Sequence, residues 1–169
     1  MRSRQGLPEP EPAGPGEESV WSYPRPPRLV ADRRLVEVRF GGETVAATRR
    51  AVRHLETASP PTFYLPPDDV RCEFLEPAPG SSFCEWKGRA SYWDVVVGGR
   101  RARQGAWSYP KPAAGYEDLA GWYAFYPGRV DACFVDGEQV RPQPGPFYGG
   151  WLTGEIRGPV KGSPGTEWW

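Results

Sequence analysis

Two alternating segments, RASYWDVVV (89–97) and RRARQGAWSYP (100–110), are joined by Gly98-Gly99, and this pairing constrains the chain more than any other feature. Alternation with period two puts successive side chains on opposite faces of a strand, and a two-residue glycine linker supplies the backbone of a tight hairpin. The same grammar recurs where Gly41-Gly42 follows RLVEVRF, where Pro127-Gly128 follows GWYAFY, and where Asp136-Gly137 follows VDACFV. Pro and Gly number 21 each, yet aromatic residues reach 14% with eight Trp. Disordered chains are poor in aromatics, so the composition describes a turn-rich, mainly β domain.

Lys plus Arg and Asp plus Glu are both 21, a formal charge of zero. A surface that binds nucleic acid or an anionic membrane normally carries a basic excess, so neither partner is expected. Arg100, Arg101 and Arg103 form a short basic cluster, read as a charged hairpin edge that resists strand pairing between molecules. No apolar run approaches the roughly 20 residues that cross a bilayer. The N-terminal stretch also lacks a hydrophobic signal core, so a cytoplasmic protein with reduced thiols is expected. Cysteines at 72, 84 and 133 form no paired knuckle, and His54 is the one histidine, so no metal and no cofactor are expected.

Residues 1–19 hold little to bury and read as a disordered leader. Residues 20–29, VWSYPRPPRL, read as an aromatic, proline-rich arm lying across the domain. A single domain spans 30–141. Within it, TRRAVRHLETASPP reads as one short helix over about 48–57, with Thr48 as N-cap, Ala51, Val52 and Leu55 on one face, and Pro60-Pro61 as the stop. Residues 142–169 are rich in Gly, Pro and Trp and read as a tail pinned on the domain by its rings. WSYPRP at 21–26 is echoed by WSYPKP at 107–112, as two similar corners at different edges.

Strand alternation places Cys84 and Trp86 on one face and Glu85 and Lys87 on the other, until Gly88 permits a bulge that resets the register. Beyond it Ala90, Tyr92 and Asp94 oppose Trp93, Val95 and Val97. Trp107 and Tyr109 share a face, as do Trp122, Ala124 and Tyr126. Either one wall of rings is left half exposed and open to a ligand, or both walls are covered, one by the helix and one by the tails. A pocket on that wall would use Cys84, Trp86, Lys87, Tyr92, Trp107 and Tyr109, with Glu56, Tyr64 and Tyr126 at its rim. Lys87 would meet an anionic group and the rings a planar one.

Cys84 lies three positions from Lys87, whose ammonium would favour a thiolate, but nucleophilic catalysis also wants a base. His54, on the expected helix, reads as a surface or semi-buried residue, and Cys84 as an inert thiol. Asp68-Asp69 diverge if extended and so form no two-metal site. Asp136 reads as a turn residue. Glu56 would sit at a helix C-terminus, where a negative charge is disfavoured, so a cation such as Lys87 or Arg89 is expected to hold it.

RFGGETVAATRRAVRHLET, PPTFYLPPDDV, CEWKGRASYWDV, GAWSYPKP, AFYPGRVD and VDG, in this order, resemble the domain-of-unknown-function family 427, which also carries a nucleotidyltransferase-like name. The resemblance covers about residues 30–140. The flanks VWSYPRPPR and GGWLTGEIRGPVKGSPGT resemble those of longer, actinobacterial-type members. It implies a β-tent, a pair of antiparallel sheets similar to methionine sulfoxide reductase B and the cereblon ligand-binding domain. Relatives in that fold hold zinc through paired CxxC knuckles, which this chain lacks. By analogy with the cereblon cage, Trp86, Trp93 and Trp107 would form an aromatic box.

The leading functional reading is a small-molecule-binding domain with an aromatic pocket and one lysine, as a monomer or homodimer. The alternatives are an enzyme, either thiol-dependent through Cys84 or a nucleotidyltransferase, and a structural or interaction module.

Overall fold

A computed structural model describes residues 6–169. Its strands are Glu18–Ser19 (β1), Arg28–Asp32 (β2), Val36–Phe40 (β3), Glu43–Thr48 (β4), Ala51–Leu55 (β5), Thr62–Tyr64 (β6), Leu75–Cys84 (β7) and Gly88–Val97 (β8). They continue with Arg100–Ser108 (β9), Tyr123–Phe125 (β10), Ala132–Val135 (β11), Glu138–Gln139 (β12), Arg141–Pro142 (β13), Trp151–Leu152 (β14) and Ile156–Arg157 (β15). The architecture is mainly β and antiparallel, as expected. Two four-stranded sheets, β10-β9-β8-β7 and β12-β11-β3-β4, and a three-stranded sheet, β2-β5-β6, make up the body. Helical structure among the described residues is confined to four 3-10 turns of three residues, none long enough to cross a membrane.

The tight turns fall where the glycines predict. Gly98-Gly99 closes β8 onto β9 with Val97 opposite Arg100, and Gly41-Gly42, both at positive φ, closes β3 onto β4 with Phe40 opposite Glu43. The alternation of β8 also holds: Ala90 and Tyr92 enter one apolar cluster, while Trp93, Val95 and Val97 enter another.

The expected helix over 48–57 does not form. Thr48 ends β4 and Ala51 begins β5, and the two strands belong to different sheets. Thr48 clamps this corner instead of capping a helix: its hydroxyl donates to Asp69 at 2.6 Å and accepts from the Arg50 N–H at 2.9 Å. Over so short a window the apolar spacing of Ala51, Val52 and Leu55 fits either period. Non-local pairing decides it, because β5 lies between β2 and β6 with a ladder on each side.

Leu65 and Tyr123 exchange backbone hydrogen bonds of 2.8 and 3.0 Å, which stitches the end of β6 to β10. This seam brings β5 and β9 into one neighbourhood. The tail enters the core through Trp151, which is fully buried, stacks on Phe63 at 4.8 Å and donates its indole N–H to the Phe125 carbonyl at 3.0 Å. A third apolar cluster joins Val20 and Tyr23 to Leu55 and Ile156. Beside it, Trp21 packs on Trp169 at 5.6 Å, whereas its counterpart in the echoed motif, Trp107, lies in β9.

Candidate functional site: a cavity around Lys87

The segment Glu85-Trp86-Lys87 is a three-residue turn between β7 and β8, not a continuing strand. Gly88 follows at φ +101, a conformation costly for any residue with a Cβ. The Lys87 carbonyl accepts the Ala113 N–H at 2.8 Å, which fixes the turn. The turn breaks the strand alternation, so Trp86 leaves the face of Cys84 and lines a separate groove with Pro26, Leu29 and Tyr116. Lys87 turns inward beside Cys84.

There it borders a cavity of about 180 Å³, which has room for roughly ten water-sized positions. Seven of the nine residues expected at a pocket line it: Glu56, Cys84, Lys87, Tyr92, Trp107, Tyr109 and Tyr126. Tyr64 lies fully buried behind this wall, with Trp107 donating its indole N–H to the Tyr64 hydroxyl at 3.4 Å. Trp86 is absent from it. Trp93 is as well, packing edge-on against Tyr123 on the opposite side of β8, so no three-tryptophan box forms.

The rings are not half exposed. Trp107, Tyr109 and Tyr126 are all buried, covered by the β2-β5-β6 sheet, by Leu119 of a 3-10 turn and by the C-terminal tail, with no α-helix involved. The covering still leaves space, because the tail crosses the cavity instead of filling it. Gln143 ties the crossing together by accepting the Gly150 N–H at 3.0 Å and donating to the Lys161 carbonyl at 2.7 Å. Tyr126 donates to the Phe147 carbonyl at 3.1 Å. Gly149 lies so close to the Trp107 ring that any Cβ there would overlap it.

Lys87 is only 7% exposed, yet none of the ion pairs among the described residues includes it. Its Nζ stands 5.2 Å from the Tyr109 ring centre and 5.4 Å from that of Tyr64, within cation–π range of both. Burial holds the Tyr64 and Tyr109 phenols protonated, well above the usual range. Glu56 does not pair with Lys87 or Arg89. It meets Arg25 of the N-terminal arm at 3.5 Å, because no helix end forms to aim it at the β8 turn.

His54 is the residue that sequence reasoning placed wrongly. On β5 it is 5% exposed and lines the cavity, 6.4 Å from the Tyr64 ring and 6.2 Å from that of Tyr116. Burial first, and the positive charge of Lys87 second, push its pKa down to about 2, so the imidazole is neutral. Its Nε2 is buried without a hydrogen-bond partner. Buried polar atoms in native proteins are nearly always satisfied, so such an orphan calls for an explanation. The tail residues Phe147, Tyr148 and Lys161 were also missed. For Lys161 a signal existed, since the chain contains three lysines in all and another of them is Lys87.

The other marked groups serve the frame. Asp69 holds Thr48 and Arg50, Asp94 accepts from Arg101 and the Gln104 N–H, and Asp136 accepts the Leu35 N–H. In the basic cluster, Arg100 forks onto Asp131, while Arg101 spans Asp94 and Glu76.

The family model NTP_transf_9, described as "Domain of unknown function (DUF427)", matches residues 28–136, well over half of the chain. The chain belongs to the DUF427 family. The match covers the cavity lining from His54 on β5 to Tyr126 after β10. Gln143, Phe147, Tyr148, Gly149 and Lys161 lie beyond the DUF427 region, so the cover is built by a segment outside it. No curated protein was found to match the chain.

Proposed function

We propose that the chain is a receptor for a small organic anion with a planar body, seated on Lys87 against the rings of Trp107 and Tyr109. The observation that carries this reading is Lys87, a buried residue on an open cavity whose ammonium no carboxylate among the described residues pairs with. Burying a charge without a partner is costly, and a ligand carboxylate supplies the partner. The neutral His54 Nε2, also unpaired, offers a second contact, and the indole and phenol rings offer flat apolar surface. The cavity, at about 180 Å³, suits a small guest.

A thermal-shift screen of small acids, with benzoate and crotonate as first probes, tests the reading. At 100 times the dissociation constant a ligand stabilises the fold by about 2.7 kcal/mol, which such a screen detects readily. Lys87→Met keeps the length of the side chain and is expected to fold, with the stabilisation lost. If Lys87→Met folds and responds to the acids as the parent does, the binding site lies elsewhere.

Cys84 offers a second reading, because the thiol lines the same cavity as Lys87. Cys72 is exposed, whereas burial pushes the Cys133 thiol far up and leaves it inert. Thiol chemistry at this site therefore requires that native Cys84 alkylate faster than exposed Cys72, as read by mass spectrometry. Faster labelling of Cys72 removes this second reading.

A further inference from the structure

The chain carries 21 basic residues, and three of them are lysines: Lys87, Lys111 and Lys161. Every ion pair among the described residues is made by an arginine. Arginine is thus the cation of the frame, as its bidentate fork suits. Two of the three lysines line one small cavity, and neither has a carboxylate partner there. They reach it from opposite parts of the sequence, Lys87 from the β7–β8 turn and Lys161 from the tail.

Lys161 is held at the cavity on both sides of its backbone. Its N–H donates to the Ala58 carbonyl at 2.8 Å and its carbonyl accepts from Gln143 at 2.7 Å. Its Nζ lies 5.6 Å from the ring centre of Tyr148, another lining residue. The acidic side chain in the lining, Glu56, is taken by Arg25. Two unpaired ammonium groups on one small cavity repel each other, and a guest with one negative charge compensates only one of them.

Resting on the reading of the cavity as an anion receptor, we infer that its ligand is a small planar dianion, with one acidic group on Lys87 and the other on Lys161. The DUF427 region supplies the first anchor, and the tail beyond it supplies the second and sets the preference for two charges over one. Lys161 is then a specificity-determining residue, while Lys87 is the residue without which nothing binds.

Matched pairs of acids test this at fixed ionic strength: crotonate against fumarate, and benzoate against terephthalate. The members of each pair share a skeleton and differ in one carboxylate, and the two pairs differ in carboxylate separation. Calorimetric titration is expected to show at least one dianion binding roughly three- to tenfold tighter than its monoanion. Lys161→Gln should erase that advantage and leave the monoanion affinity in place. Lys111→Gln, which removes the same charge from an exposed position, should leave the advantage intact. Monoanions that bind through Lys87, with dianions no tighter or with an advantage that survives Lys161→Gln, overturn this inference and leave the receptor reading standing. Failure of all four acids to bind overturns both.

Discussion

Replacing Trp151 with alanine is expected to cost about 3–5 kcal/mol, the range for removing a buried Trp from a packed core. The indole is fully enclosed, stacked on Phe63, and bonded to the Phe125 carbonyl on β10. Its removal leaves both a void and an unpaired carbonyl. For a chain of this length the melting temperature should fall by on the order of 10 °C. Trp168, near the end of the same tail, is 57% exposed, and its alanine variant should change stability by less than about 0.5 kcal/mol. Chemical denaturation of the two variants side by side is the check. Equal, small effects would mean that the tail lies on the domain without joining its core, and the cover over the cavity would then have no foundation.

Acid should destabilise the protein earlier than its carboxylates alone would cause. His54 has a folded pKa near 2, against about 6.5 when unfolded. Below the unfolded value the unfolded chain binds a proton that the native chain refuses, so stability falls as the pH falls. The contribution is complete above roughly pH 6.5 and is lost at about 1.4 kcal/mol per pH unit below it, about 3 kcal/mol two units down. Asp32 acts later. Burial raises its pKa, but the bonds from Arg34 outweigh this and hold the carboxyl below the usual range, so its contribution is lost only under stronger acid. Denaturant midpoints followed between about pH 7 and 4.5 should slope steeply in the parent and stay nearly level in His54→Gln. A parent curve as flat as the variant's would show that His54 takes up protons in the folded state, and the unpaired, neutral imidazole would have to be abandoned.

The legible parts of this fold were those governed by local rules. Gly41-Gly42 and Gly98-Gly99 announce their hairpins because two-residue turns admit few other residues, and the alternation along β8 follows from strand geometry alone. Convergence of Trp107, Tyr109 and Tyr126 was legible for the same reason, since strand partners with known faces must meet, whereas Lys87 joins them through a turn that strand alternation does not describe. Two errors share one cause. TRRAVRHLE has local features of a helix, and only the ladders to β2 and β6, set by residues far away in sequence, make it a strand. On a helix His54 would be a surface or semi-buried residue, whereas β5 buries it at the cavity. Trp86 failed differently, because a three-residue turn replaced the expected strand and ended the alternation at Cys84, not at Gly88. The tail's part was hidden: no local rule tells which of its rings is buried, and Trp151 and Trp168 differ only in what they meet.

The most direct test is a crystal structure grown with 4-bromobenzoate, whose bromine marks the position of the ring. The account predicts its carboxylate within hydrogen-bond distance of Lys87 Nζ, with the ring against Trp107 and Tyr109 beneath the tail. Lys87 paired with a carboxylate of the protein itself, or bromine found only outside this cavity, would contradict it.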